Sequence, residues 1–357
     1  MDRSAVDKLN PPAQALARTA VDQLIKATGL QVTVQEEARL TGGRVVDALV
    51  AIDALGNRHI YAAEAKRTAT PATVNVALQQ LATAAPDHKP MFIAAYINPR
   101  QAQALKERDI AFIDTVGNAY IRAGQVYVYI RGNRPEEPIG ATGQATRAFQ
   151  ATGLRVVFGL LHNPALLKAN YRDIARATGV AHGTVGWVLT DLREAGYLIE
   201  IKKERRLVRV RQLLGRWIEA YHERLKPKLW LGRYEAPTNQ WWQTVDLTPY
   251  GAVWGGEVAA AKLTRGYLTP QVTTIYAPRL PPELLLRQQL RKNPDGNVHI
   301  FKTFWLDNPE PTTQTPPADT TDPLLVYADL LGTGDDRNRE TAERIFNEHL
   351  VKRFPND

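Results

Sequence analysis

The chain has 357 residues, no cysteine and a formal net charge of +8, so we expect two or three domains and can exclude disulfides and thiolate metal sites. The first residues lack the pattern of a signal peptide, and no apolar run approaches the ~18 residues that cross a bilayer. These features predict a soluble, cytoplasmic protein that does not associate with a membrane.

Residues 1–134 show the patterns of a compact α/β domain. Gly56 and Asn57 predict a hairpin turn, and the apolar run at 91–97 predicts a strand buried on both faces. The predicted elements are a helix at 11–28, strands at 32–37, 44–53 and 59–66, a helix at 74–84, a strand at 91–97, a helix at 99–108, and strands at 111–113 and 119–130.

Two carboxylates and a lysine lie on neighbouring predicted strands of this domain. Glu64 and Lys66 are two residues apart, so both side chains leave the same face of the sheet, and Asp47 on the preceding strand can lie beside them. Two carboxylates can hold a divalent cation, while a lysine can polarise a water or steady a phosphate. This arrangement and the order of elements resemble the PD-(D/E)XK nucleases, with Gln80 or its neighbour Gln79 where some members place a helical glutamine.

The resemblance implies a restriction-endonuclease-like α/β fold for residues 1–134. If the domain is active, the implied catalytic residues are Asp47, Glu64, Lys66 and Gln80, with Mg²⁺ bound by Asp47 and Glu64. Two alternatives are a nuclease-like domain that no longer cuts and an unrelated α/β fold with ordinary charges at its strand ends.

The region after this domain holds the positive charge of the chain. A stretch at 135–146 is rich in Gly and Pro and predicts a linker. Residues 145–233 contain 17 Lys/Arg against 7 Asp/Glu, a net of +10, whereas the remainder contains 28 against 30, a net of −2. Basic charge gathered on one region is typical of a surface that binds nucleic-acid phosphates.

Residues 147–227 show the order helix, turn, helix and β-ribbon. Asn170 can cap a short helix that Gly179 ends, and a second helix follows from His182. An apolar stripe on the second helix is formed by Val185, Val188, Leu189 and Leu192. Strands at 197–201 and 207–210, joined at 202–206, complete a winged helix-turn-helix, whose second helix enters the major groove of DNA.

The predicted DNA contacts need no cofactor and fall into three groups. They are the first helix (Arg172, Arg176), the start and outer face of the second helix (His182, Gly183, Thr184, Trp187), and the wing (Lys202, Lys203, Arg205, Arg206). Trp187 is unusual in a major-groove helix and could instead pack against a neighbouring domain. The alternative interpretation of the whole motif is a protein-interaction module with a solvated run of charge.

Residues 228–357 predict a second α/β domain, and six of the seven tryptophans lie at or after Trp217. The predicted elements are helices at 257–263, 323–331 and 338–351, strands at 270–277 and 298–305, and a long exposed loop at 307–322.

Several stretches together resemble the AbiEi family, the antitoxin and transcriptional-repressor component of type IV toxin–antitoxin systems. They are 114–119, the winged-helix stretch, 229–234, 254–260, 268–270 and 322–331. The resemblance implies an antitoxin that represses its own operon by binding double-stranded operator DNA, with a nucleotidyltransferase toxin as its functional partner. The family has its winged helix at the N-terminus, whereas here the predicted one is central.

The sequence therefore predicts a three-domain transcriptional regulator: a nuclease-like domain at 1–134, a linker at 135–146, a winged helix-turn-helix at 147–227 and an AbiEi-like α/β domain at 228–357. The alternative is a metal-dependent nuclease that the winged helix targets to DNA. A third possibility, an adaptor that does not bind DNA, is disfavoured by the placement of the charge.

Overall fold

The computed structural model describes residues 13–40, 44–135, 146–201, 204–305 and 319–354. The chain is a mixed α/β protein of two compact units, Met1–Gln144 and Ala145–Asp357. The predicted winged-helix and C-terminal regions both belong to the second unit. Most of the predicted linker, residues 136–145, lies outside the described residues. No described helix is both long and apolar enough to cross a membrane.

The first unit is built on a seven-stranded sheet in the order β1 to β7. Its elements are α1 (Ala13–Thr28), β1 (Gln31–Arg39), β2 (Val45–Ala54), β3 (Asn57–Lys66), α2 (Pro71–Ala84), β4 (Lys89–Ala94), α3 (Pro99–Glu107), β5 (Ala111–Asp114), β6 (Ala119–Ala123) and β7 (Val126–Ile130). The β3–β4 and β4–β5 pairs are parallel, and the other pairs are antiparallel. The predicted order of helices and strands is confirmed up to β5, but the strand predicted at 119–130 is an antiparallel pair, β6 and β7, because the chain turns at Gly124 with φ +57°.

Helices cover both faces of this sheet. Helix α1 buries Leu16, Leu24 and their neighbours on one face, against Met91 and Ile93 of β4. Helices α2 and α3 pack on the other face, against Phe92 and Ala94 of the same strand. Met91, Phe92, Ile93 and Ala94 of β4 are fully buried, which confirms the predicted two-sided burial of this part of the strand.

The second unit begins with a helical cluster and a β-ribbon. It contains a 3₁₀ turn (Arg147–Phe149), α4 (Ala151–His162), a second 3₁₀ turn (Pro164–Lys168), α5 (Tyr171–Thr178), α6 (His182–Glu194), β8 (Leu198–Ile201) and β9 (Glu204–Leu207). Asn170 caps α5 by accepting a hydrogen bond of 2.9 Å from the Asp173 N–H, and Gly179 ends it with φ +64°. Both predicted boundaries are confirmed.

The predicted second wing strand at 207–210 is wrong, because β9 ends at Leu207 and the next helix begins at Val210. Arg209 has φ +51° and donates from Nε to the Gly196 carbonyl at 3.1 Å, just beyond the end of α6. This tertiary contact turns the chain at a stretch whose alternating pattern is typical of a strand.

The remainder of the second unit is a five-stranded sheet with helices, in the strand order β11-β12-β14-β10-β13. Its main elements are α7 (Val210–Ala220), β10 (Trp230–Glu235), β11 (Val253–Gly255), α8 (Gly256–Leu263), β12 (Thr273–Ala277), α9 (Pro282–Arg287), β13 (Arg291–Lys292), β14 (Val298–Lys302), α10 (Pro323–Leu331) and α11 (Asp336–Ile345). The β12–β14 pair is parallel. Residues 307–318 of the predicted long loop lie outside the described residues.

Helix α7 joins the helical cluster to this sheet. Trp217 is fully buried, and its Nε1 donates to the Leu154 carbonyl of α4 at 2.9 Å. The Phe158 ring lies between the Trp217 and Phe304 rings, at 5.5 Å and 5.1 Å. Asp322, which caps α10, pairs with His162 of α4 at 3.0 Å. The two regions therefore share one core.

We expect Trp217→Ala to lower the free energy of unfolding of the second unit by about 3–5 kcal/mol, because the change leaves a large cavity and an unpaired carbonyl. Denaturant unfolding of the full chain, followed by tryptophan fluorescence, measures this value. Trp230→Ala is the matched control, since that ring is 46% exposed. A similar loss of stability in both variants would contradict a special role for the Trp217 contact.

Candidate functional sites

The four predicted nuclease-like side chains meet at one place in the first unit. Asp47 lies on β2, Glu64 and Lys66 on β3, and Gln80 on α2. Asp47 Oδ2 accepts a hydrogen bond of 2.9 Å from the Ala65 N–H. Lys66 Nζ lies 3.6 Å from Glu64 Oε2 and donates to Gln80 Oε1 at 2.9 Å. The cluster therefore holds two acids, a lysine and an amide within hydrogen-bonding reach of one another.

The strand register and a helix cap explain why these side chains converge. In the antiparallel β2–β3 hairpin, Ala48 pairs with Ala63. One residue further from the turn, β2 carries Asp47 and β3 carries Glu64, so these two residues lie opposite each other. Thr70 then caps α2 by accepting a hydrogen bond of 3.2 Å from the Thr73 N–H. The cap fixes the start of the helix, so that Gln80 reaches back to the end of β3.

Burial dominates the electrostatics of this cluster. Glu64 is only 8% exposed, and this burial raises the pKa of its carboxyl to about 8; Lys66 lowers the value and the nearby Asp47 raises it. Glu64 therefore holds a proton at neutral pH and shares it with a second acid. Carboxylate oxygens are the ligands that Mg²⁺ prefers, so Asp47 and Glu64 fit a divalent cation that takes the place of this proton.

We expect Glu64→Gln to change how the stability of the first unit depends on pH. The raised pKa means that the stabilising contribution of Glu64 is complete below about pH 4.5 and is lost as the pH rises through about 8. The free energy of unfolding of Glu64→Gln should therefore match that of the wild type near pH 5. At pH 9 it should be higher than that of the wild type, by about 1.4 kcal/mol for each unit by which the folded state raises the pKa of Glu64.

Unfolding of the full chain followed by circular dichroism measures this difference, because all seven tryptophans lie in the second unit. Glu107→Gln is the control, since Glu107 is an exposed acid of the first unit. Parallel stability curves for the wild type and Glu64→Gln from pH 5 to pH 9 would show that the buried acid is not protonated.

The outward face of helices α5 and α6 is the second candidate site. The apolar stripe of α6 is fully buried, as predicted: Val185, Val188, Leu189 and Leu192. The predicted contact residues on the opposite side are exposed: Arg172 and Arg176 on α5, and His182, Gly183 and Trp187 on α6. Thr184 is half-buried. Ala181 is the N-cap residue of α6 and provides no side-chain cap. The Thr184 N–H donates to the Ala181 carbonyl at 2.9 Å, so the N–H groups of His182 and Gly183 are the ones placed to meet an external acceptor.

Gly183 occupies open space on this face. A Cβ atom at this position would meet no atom within 4 Å, whereas a Cβ at Gly186 would touch the Tyr171 ring at 3.6 Å. Glycine disfavours a helix relative to alanine, and the packing of the protein does not require it at position 183. A glycine here suits a surface that a bound partner approaches closely.

The wing residues divide into different roles. Arg205 is half-buried, donates to the Ala169 carbonyl and lies 5.5 Å from the Tyr171 ring, so it ties the ribbon to the start of α5. Arg206 is exposed and lies 3.4 Å from Glu204. Lys202 and Lys203 lie outside the described residues. Of the predicted wing cations that the structure describes, Arg206 is the one that faces solvent.

Trp187 contacts a residue that the sequence analysis did not single out. The Arg147 guanidinium lies 3.9 Å from the centroid of the indole, which remains 55% exposed. Asp191, one turn further along α6, accepts a hydrogen bond of 2.9 Å from the Ala148 N–H. Arg147 stands in the basic region of the sequence, but only folding places it beside Trp187.

Buried polar groups in the rest of the second unit serve as a structural junction. Asp329 on α10 accepts hydrogen bonds from the Tyr276 hydroxyl at 2.9 Å and from Lys226 Nζ at 2.7 Å, and the Tyr221 and Tyr276 hydroxyls lie 2.7 Å apart. Burial, and then the charge of Asp329, raise the pKa of both tyrosines well above their ordinary value. This network joins the segment after α7 to the sheet and to α10.

A second set of charges supports the same junction. Asp322 receives two hydrogen bonds of 2.8 Å from the Arg353 guanidinium as well as the contact from His162. Although burial raises the pKa of Asp322, the His162 hydrogen bond and the Arg353 charge outweigh it and hold the value well below its usual range. These contacts fix the end of the chain to the start of α10 and to α4.

Comparison with known proteins identifies part of the second unit. Residues 206–351 match a family model described as transcriptional regulator, AbiEi antitoxin, type IV toxin–antitoxin system. The predicted resemblance to this family is therefore confirmed over residues 206–351. No curated protein and no solved structure is detectably similar to the chain.

The matched segment begins in strand β9 and ends after α11. It includes α7 and the five-stranded sheet, whereas helices α5 and α6 precede it. The family match therefore covers the sheet-containing part of the second unit and does not extend to α5 and α6.

Proposed function

We propose that the chain is a DNA-binding transcriptional regulator that represses its own toxin–antitoxin operon. The observation that carries this proposal is the outward face of α5 and α6, which combines exposed arginines with a helix start that has no side-chain cap. This face lies in the region of net charge +10 and adjoins the AbiEi-type domain. We assign residues 147–227 to a winged helix-turn-helix and residues 228–357 to the AbiEi-like domain.

In this proposal α6 enters the major groove of double-stranded operator DNA with its N-terminal half toward the bases. Arg172 and Arg176 lie on α5 and contact the flanking phosphates. Arg206, with Lys202 and Lys203 of the wing, reaches the neighbouring backbone, while Arg205 supports the ribbon from inside. Binding needs no cofactor. The functional partner is a nucleotidyltransferase toxin, the class that the family resemblance implies.

The double variant Arg172→Ala, Arg176→Ala should weaken binding to all DNA sequences and lower the slope of log affinity against log salt by about two, because two phosphate contacts are lost. Fluorescence anisotropy with the DNA upstream of the gene, measured over a range of salt concentrations, tests this expectation. A salt slope equal to that of the wild type would remove these arginines from the interface.

Gly183→Ala offers a sharper test of the same face. The alanine should leave the fold as stable or make it more stable by up to about 1 kcal/mol, yet weaken binding, because its methyl group meets the DNA. Gly186→Ala is the matched control, since it makes the same change in the same helix on the side toward Tyr171. Equal DNA affinity in both variants would contradict close approach at the start of α6.

Metal-dependent DNA cleavage by the first unit is a second candidate function. The convergence of Asp47, Glu64, Lys66 and Gln80 favours it, and we assign residues 1–134 a restriction-endonuclease-like fold on the order of its elements. Asp47 and Glu64 would hold Mg²⁺, which when bound supplies an activated water and neutralises phosphate charge. Gln80 holds the Lys66 ammonium in place beside the acids, where it can steady the scissile phosphate.

Incubation of the full chain with plasmid or linear DNA and Mg²⁺ or Mn²⁺ tests this candidate. A nuclease should lose at least about 100-fold of its cutting rate in Asp47→Ala and in Lys66→Ala, and Lys106→Ala serves as the control. Cutting that persists in both variants would come from another source. Binding without cutting supports a regulator with a non-catalytic nuclease-like domain, and neither binding nor cutting supports the adaptor.

A further inference from the structure

An arginine that precedes the helix-turn-helix lies against the outward face of its second helix. The Arg147 guanidinium lies 3.9 Å from the centre of the Trp187 ring, and both side chains are exposed. A guanidinium stacked on an aromatic ring keeps a fixed plane while the N–H groups on its edge stay available. The pair therefore presents an oriented fork of hydrogen-bond donors on the surface of α6.

The position of Arg147 is fixed to the helix that carries Trp187. The adjacent Ala148 N–H donates to Asp191 of α6, and the buried Phe149 ring lies 6.5 Å from the Tyr197 ring in an edge contact. The first contact is with α6 itself, and the second is with the segment that follows it. Both contacts lie within two residues of Arg147, so they hold the 3₁₀ turn that carries it beside α6.

The Arg147 guanidinium has unused donors, unlike those of several nearby arginines. Within the part of the chain that the structure describes, its side chain forms no hydrogen bond and no ion pair besides the ring contact, while its backbone carbonyl accepts from the Gln150 N–H. By contrast, Arg176 pairs with Asp173, Arg193 pairs with Glu200, and Arg209 donates to the Gly196 carbonyl. A planar guanidinium with free donors is suited to a ligand with two adjacent acceptors.

We propose that Arg147 recognises one guanine of the operator and that Trp187 is the positioning residue that holds the guanidinium flat. The inference rests on the proposed DNA-binding function. Guanine presents two adjacent acceptors, N7 and O6, in the major groove, and a planar guanidinium bonds both. Arg147 lies beside the middle of the face of α6 that is proposed to enter the groove, which favours a base edge over a flanking phosphate.

This role also accounts for the exposed tryptophan. A large ring on a helix in the major groove would fill space needed for base contacts, unless the ring itself supports the residue that makes them. Trp187 has one face covered by Arg147 and remains 55% exposed. It therefore acts through Arg147, and removal of either side chain should affect recognition of the same base pair.

The test uses the full-length protein, a short duplex selected from a random pool, and duplexes in which each G·C pair of that sequence is replaced in turn. Arg147→Lys keeps the positive charge but loses the planar pair of N–H donors. It should bind the selected duplex about 5- to 150-fold more weakly, lose discrimination at one G·C position, and keep its affinity for unrelated DNA within about twofold.

Trp187→Leu should relax discrimination at the same position, and the double variant should be no weaker than Arg147→Lys alone, because both changes remove one contact. Arg176→Lys is the control, since a phosphate contact should affect all the duplexes equally. Thermal unfolding checks that every variant is folded.

Unchanged base preferences in Arg147→Lys would overturn the proposal while leaving the DNA-binding function intact. A uniform loss on every duplex would do the same, since it would make Arg147 a phosphate contact. If the wild-type protein selects no duplex at all, the proposed function fails, and the inference about Arg147 fails with it.

Discussion

The burial of Trp217 is the contact on which the second unit depends. Its indole donates to the Leu154 carbonyl of α4 and stacks on Tyr221 at 5.0 Å. The Tyr221 hydroxyl in turn reaches Asp329, in the part of the unit that carries the five-stranded sheet. Trp217 and Tyr221 thus join the helical cluster on one side to the five-stranded sheet and its helices on the other. Because protein interiors are closely packed, a change in the position of either part has to be accommodated by the other.

The same unit uses its arginines in two distinct ways. Arg205 and Arg209 donate to backbone carbonyls and brace the ribbon against α5 and α6. Arg172 and Arg147 lie on the outward face instead. A count of charges treats all four alike, yet only the side chains on the outward face are placed to contact phosphates or base edges. The net charge of the region therefore overstates the number of groups available to DNA.

The first unit concentrates its polar groups by a different route. Two neighbouring strands and one helix bring Asp47, Glu64 and Lys66 together in a place where Glu64 is almost completely buried. Burial of an acid beside a second acid has an electrostatic cost that a proton or a cation can relieve. A proton on Glu64 relieves this cost at neutral pH, because burial raises the pKa of its carboxyl to about 8. All the side chains of this cluster belong to the first unit.

The local sequence pattern alone determined several helix boundaries and buried faces of this protein. The cap at Asn170, the stop at Gly179 and the buried stripe of α6 follow from short-range stereochemistry and from a period of 3.6 residues, so they could be predicted. The spacing of Glu64 and Lys66 likewise placed both on one face. The tertiary structure alone decided that the stretch at 207–210 ends a strand and starts a helix, because Arg209 bonds a carbonyl distant in sequence. It also decided that Arg205 faces inward and that Arg147 stacks on Trp187. Those outcomes depend on contacts between residues far apart in the chain, which no local pattern records.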